Sequence, residues 1–182
     1  MNNTILLISI LALLGLVVVF YYNSLVKLNV SVDESLSQIE VQLKRRSDLI
    51  PNLVETVKGY ASHEKNTLQA VTDARAASQS ATTIGEISKA DGALTNALRG
   101  LLAVAENYPD LKASANFLSL QEELSTTENK VSFARQFYND QVRSLNQKVK
   151  TFPGNIFAGT FNIKERDFYE VEDKNDLKKP EV

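Results

Sequence analysis

The chain's one histidine, His63, is followed by Glu64. That is the first half of the His-Glu-x-x-His pattern, in which two imidazoles one helical turn apart hold zinc and the glutamate acts as base. The residue four positions after His63 is Thr67, which cannot replace the second imidazole, so His63 reads as a surface or interhelical histidine. Glu122, Glu123 and Glu128 lie close together, and paired carboxylates can share acid and base roles. Three acids at this spacing on a helix are ordinarily its solvated face. Gly154 and Gly159 do not form a phosphate-cradling loop, and no Gly-Lys-Ser/Thr occurs. Cysteine is absent, which removes disulfides, thiolate metal sites, a cysteine nucleophile and a lipid-modified N-terminal cysteine. A lone imidazole leaves only carboxylate sites for a metal. No catalytic, cofactor-binding or metal-ligating residue is assigned, and the chain reads as non-enzymatic.

The polar feature that stands out is the basic triplet Lys44, Arg45, Arg46, inside the stretch Val41 to Lys65. Leu43, Ile50, Leu53, Val57 and Tyr60 recur at steps of three and four, the spacing that lines one face of a helix. Arg46 fills the one missing step. A guanidinium there must be paired or must snorkel, because a buried unpaired charge costs several kcal/mol. Asp48 is too near along the helix to face it, whereas Glu122 or Glu128 on a later helix could. Pro51 sits in mid-pattern and should bend this helix, since proline removes one amide donor and crowds the carbonyl four residues back. That gap falls near Ser47, whose hydroxyl could fill it. Lys44, Arg45, Arg46, Asp48, Pro51 and Asn52 are therefore the candidate interaction or register residues. One reading is an ion-pair network that fixes helix register; the other is a basic surface for an acidic partner or anionic lipid.

The elements that would position these residues begin with an apolar run. Ile5 to Tyr22 contains 18 residues interrupted only by Ser9 and Gly15, and no charged side chain appears before Lys27. As a helix it would be about 27 Å long, close to the hydrocarbon thickness of roughly 30 Å. It is expected to span a membrane, with Ile5 and Tyr22 as its ends and Phe20, Tyr21 and Tyr22 at headgroup level. A cleaved secretory signal fits poorly, because a basic leader and a small-x-small site are lacking. The flank 1–4 has no positive residue, while Lys27 and the basic triplet follow the span. That asymmetry favours an outside N-terminus and a cytoplasmic remainder. A straight helix would carry Lys44 about 33 Å beyond Tyr22, too far for lipid contact in the same membrane and better suited to a partner or subunit.

Beyond the span, Ser31 and Glu34 match a capping box, but no Gly or Pro between Val17 and Ile50 forces a break, so a continuous or slightly kinked helix is expected. Three long helices follow, over about 31–76, 84–108 and 115–152. The connection Ala77 to Thr83 lacks charge and large apolar groups, Pro109 closes the second helix, and Pro153 with Gly154 ends the third. The second carries Ile84, Ile87, Leu94, Leu98, Leu101 and Leu102. The third carries Phe117, Leu120, Leu124, Val131, Tyr138, Val142, Leu145, Val149 and Phe152. The expected fold is all-α: a flank at 1–4, a transmembrane helix at 5–22, an up-down antiparallel bundle of three long helices within 23–152, a strap at 153–171 packed on the bundle, and a disordered tail at 172–182. The first and third helices outreach the second, so about ten residues on each need cover. A short amphipathic strap touching the membrane through Phe157 and Phe161 is the less favoured alternative to packing.

The strings QLKRRSDLIPNLVETVKGY, LLAVAENYPDLKASANFLSLQEEL, ENKVSFARQFYNDQVRSLN and FPGNIFAG resemble the bacterial LemA family over roughly Tyr22 to Gly159. Leu145 stands where that pattern would have a tyrosine. The resemblance implies a single-span inner-membrane protein with a helical bundle and no established enzymatic activity. One branch of that family is associated with magnetosome membranes, which points to a membrane-organising role.

Lys plus Arg is 20 against 22 acids, so charge makes no case for nucleic acid. The expected partners are the lipid bilayer, further copies of the chain and a membrane protein; no cofactor is expected. The expected function is a membrane-anchored scaffold that self-associates and organises membrane or membrane proteins. The alternative is an adaptor docking a membrane protease or sensor through the Lys44–Lys58 surface.

Overall fold

The computed structural model describes residues 2–170, so the expected tail at 172–182 and the last residue of the strap lie outside the described residues. Among them all regular structure is helical, in agreement with the all-α reading. The helices are α1 (Asn2–Tyr60), α2 (Lys65–Ser80), α3 (Ile84–Ala105), α4 (Pro109–Lys112), α5 (Ala115–Lys150) and α6 (Gly154–Thr160). Ser31 and Glu34 lie inside α1 and cap nothing.

The expected helix at about 31–76 is two helices, α1 and α2, separated by a turn at 61–64 in which Glu64 N–H donates to the Ala61 carbonyl. A straight continuation would leave Leu68 and Val71 in water, and each such side chain contributes about 1.5–3 kcal/mol when buried. Folding back places both in a core with Ile50, Leu53, Val57, Leu94, Leu98, Leu101, Leu111, Phe117 and Leu124. The overhang of the first helix is thus covered by its own chain. Tyr60, expected on the buried stripe, is exposed at the end of α1.

Chain contacts define two compact units, Met1–Ser37 with Gln136–Phe168, and Gln38–Arg135 with Tyr169–Val182. In the second, α3 starts on a capping box. Glu86 N–H donates to Thr83 Oγ1 at 3.3 Å while Glu86 Oε2 accepts from Thr83 N–H at 3.0 Å. Pro51 lies within α1 without ending it. The carbonyl it frees, that of Ser47, accepts Nε–H of Arg75 on α2 at 2.9 Å. A side chain from another helix therefore fills the gap, not the Ser47 hydroxyl, which instead takes a 3.4 Å hydrogen bond from Gln79. The hydroxyl of Tyr108 donates to Glu64 at 3.1 Å, and that bond pushes the phenol above its ordinary range.

In the first unit, Leu25, Val32, Tyr138, Val142 and Leu145 are buried. After α6 the chain runs without regular structure as a strap held by Asn146. Its amide donates to the Arg166 carbonyl at 2.8 Å and accepts from the Arg166 N–H at 2.9 Å. Tyr138 adds a 2.9 Å bond to the Asp167 carbonyl. Phe152, expected on the α5 stripe, lies beyond the end of α5 and is 80% exposed.

Candidate interaction site

Arg46 and Asp91 occupy equivalent steps of two apolar stripes: Arg46 between Leu43 and Ile50 on α1, Asp91 between Ile87 and Leu94 on α3. Helical spacing therefore carries both into the interior of the second unit, where their side chains are 4% and 0% exposed. Arg46 Nη1 donates to Asp91 Oδ1 at 3.0 Å and to Thr95 Oγ1 at 3.0 Å. Glu128 Oε2, on α5, lies 2.7 Å from the same nitrogen as an ion pair outside hydrogen-bond geometry. Of the two acids expected to face Arg46, Glu128 does so, and Glu122 is exposed.

The other Asp91 oxygen receives Arg135 Nη2 from α5 and, at 2.7 Å, the hydroxyl of Tyr169 from the end of the strap. The Arg135 guanidinium also lies over the Tyr169 ring, 5.2 Å from its centre. Burial, and after it the Asp91 carboxylate, push the Tyr169 phenol well above its ordinary range, so it stays a protonated donor. Ser88 donates to the carbonyl of the next residue, Glu170. Two guanidiniums and two carboxylates leave the cluster without net charge. Nε of Arg46 and of Arg135 and Oε1 of Gln42 are buried without a hydrogen bond. The arrangement ties α1, α3, α5 and the strap at one point, and nothing in it presents a nucleophile to solvent.

Lys44, Arg45, Asp48, Pro51 and Asn52 are exposed on α1, so the triplet is divided, with Arg46 alone turned inward. Lys44 and Asp48 line a groove of about 440 Å³ with Glu40, Ser47, Ser78, Gln79 and Ile87. Arg45 and Asn52 are not among its lining residues. Ile5 and Tyr22, the expected ends of the span, are exposed on α1. His63 is exposed in the turn after α1, and among the described residues no three His, Asp or Glu side chains converge as a metal site would require.

Asp91, Arg135 and Tyr169 were not singled out from the sequence. Asp91 alone carried a signal, a charge at a core-phase step, the same that marked Arg46.

A model of the LemA family matches residues 35–182. The chain belongs to the LemA family. This LemA-family chain is also similar to magnetosome protein MamQ 2 of Paramagnetospirillum magneticum (strain ATCC 700264 / AMB-1), at 22% identity over 202 aligned positions covering 96% of this chain and 74% of that protein. It is similar to protein LemA of Metamycoplasma hominis, at 28% identity over 153 positions, covering 80% of this chain and 69% of that one. Magnetosome protein MamQ of Magnetospirillum gryphiswaldense is 23% identical over 190 positions, covering 89% and 70%. LemA-family membership and the apolar length of α1 together describe a membrane-associated helical protein. α1 is the one helix among the described residues long and apolar enough to cross a membrane.

Proposed function

We propose that this chain is a non-enzymatic, membrane-anchored helical scaffold that self-associates and organises membrane or membrane proteins. In this reading Ile5–Tyr22 crosses a bacterial inner membrane with an outside N-terminus, and the rest is cytoplasmic. The observation that carries the reading is the apolar segment of α1, in which no residue from Ile5 to Tyr22 is buried in the protein. Leaving that surface in water would forfeit tens of cal/mol per Å² of apolar area, whereas a bilayer covers it at no such cost. Self-association is supported by Phe133, a large ring left 70% exposed on α5. The names of the magnetosome relatives are in keeping with an organising role.

Sedimentation of the detergent-solubilised chain tests the assembly. A defined oligomer weakened by Phe133→Ser is expected, and a strict monomer at micromolar protein refutes self-association. Because the chain has no cysteine, a Ser62→Cys variant tests orientation. Its thiol should resist a membrane-impermeant maleimide added outside intact cells.

The groove at Lys44 and Asp48 favours a second reading, an adaptor that docks one membrane partner through the Lys44–Lys58 surface. Reversal of charge at Arg45 would then abolish co-purification of a single protein without changing the melting of the bundle.

A further inference from the structure

We infer that α6 and the turn before it form a foot seated in the headgroup layer of the bilayer, with Phe152 and Ile156 as its lipid-facing side chains. The inference rests on the reading of Ile5–Tyr22 as a span and adds a second, non-spanning lipid contact. Phe157 stacks on Tyr21 with ring centres 5.0 Å apart, and Phe161 meets Tyr22 edge-on at 4.8 Å. Tyr21 and Tyr22 end the apolar run, at the level where a helix leaves the hydrocarbon. The layer between hydrocarbon and water is about 5–7 Å deep on each side, so groups in ring contact with those tyrosines lie inside it.

From the sequence, lipid contact through Phe157 and Phe161 is the less favoured alternative to packing. In the structure those two rings are spent on α1, and the uncovered groups of this segment are Phe152, 80% exposed, and Ile156, 56% exposed. They are four residues apart, on either side of Pro153. Two large apolar groups left mostly uncovered by protein at that depth meet acyl-chain ends and glycerol instead of water.

A cation near the end of α5 is placed to match. Nζ of Lys148 lies 5.9 Å from the ring centre of Phe20 and 5.6 Å from that of Tyr21, and it reaches Ser24. A lysine held against rings at the end of a span carries its charge at phosphate height, the snorkelling arrangement of interfacial lysines. Gly154 lets the foot sit there. A Cβ on it would lie 2.2 Å from the Lys148 carbonyl oxygen, so only glycine lets α6 turn back this closely on the end of α5.

The test uses the full chain in phosphatidylcholine liposomes containing lipids brominated near the top of their acyl chains. The chain has no tryptophan, so a Phe152→Trp variant carries a single reporter at an exposed aromatic position, and a Leu11→Trp variant reports the span separately. The foot predicts blue-shifted emission from Phe152→Trp and about twofold quenching by brominated lipid, as for an interfacial ring. Quenching of Leu11→Trp with no quenching of Phe152→Trp overturns the foot and leaves the span standing. Failure of both overturns the two together.

Discussion

Arg46 on α1 meets Asp91 on α3 at 3.0 Å, and each stands where its own helix would otherwise carry a leucine or isoleucine. A buried pair of this kind contributes little net stability, since two charges have been taken out of water. Removal of one partner is a different matter, because it strands the other. Asp91 also serves Arg135 and Tyr169, so one carboxylate is the shared partner of three side chains.

Asp91→Ala should therefore destabilise the fold by about 3–5 kcal/mol. Urea unfolding of the detergent-solubilised chain, followed by circular dichroism, measures this. A loss below about 1 kcal/mol, the scale of an ordinary exposed pair, contradicts the picture of a shared counter-charge.

Tyr169→Phe keeps the ring under Arg135 and removes only the hydroxyl that donates to Asp91 at 2.7 Å. A loss of about 1.5–3 kcal/mol is expected, the scale of a hydrogen bond to a charged group. Faster proteolysis within the strap should accompany it. Unchanged stability and unchanged cleavage would show that the strap is held without this contact.

The Ser47 carbonyl accepts from Arg75 because Pro51 has no amide hydrogen to offer it. A double-mutant cycle isolates that substitution of donors. Arg75→Ala should cost about 1 kcal/mol in the parent chain and distinctly less in a Pro51→Ala background, where the helix supplies its own N–H. Equal costs in both backgrounds would mean the two residues are uncoupled.

Glu86 accepts backbone N–H bonds from Thr82 and Thr83, each at 3.0 Å, and these hold its carboxyl down to about 2 from 4.5. A lowered folded-state pKa gives stability that is complete above the unfolded value. It fades as pH falls from 4.5 towards 2, because the unfolded chain takes up the proton first. The parent should melt above Glu86→Gln at neutral pH, with the gap closing across that window. Melting temperatures at neutral pH and near pH 3 check it, and a constant gap counts against the cap.

The periodicity of the sequence was enough to determine the all-helical class, the buried stripes of α3 and α5 and the position of Arg46 in the interior, because the steps between apolar residues are a local property of the chain. The apolar run was legible for the same reason. The turn at 61–64 was not, since Leu68 and Val71 keep helical phase through it, and only the core formed with Leu94 and Leu98 rewards the reversal. Tertiary structure alone decided that Arg75 answers for Pro51, that Asp91 joins Glu128 as a counter-charge of Arg46, and that Tyr169 meets Asp91 from the strap. These are pairings between residues separated by 28, 45 and 78 positions. Spacing within one helix dictates which face a side chain takes, but it cannot say which other face will be laid against it.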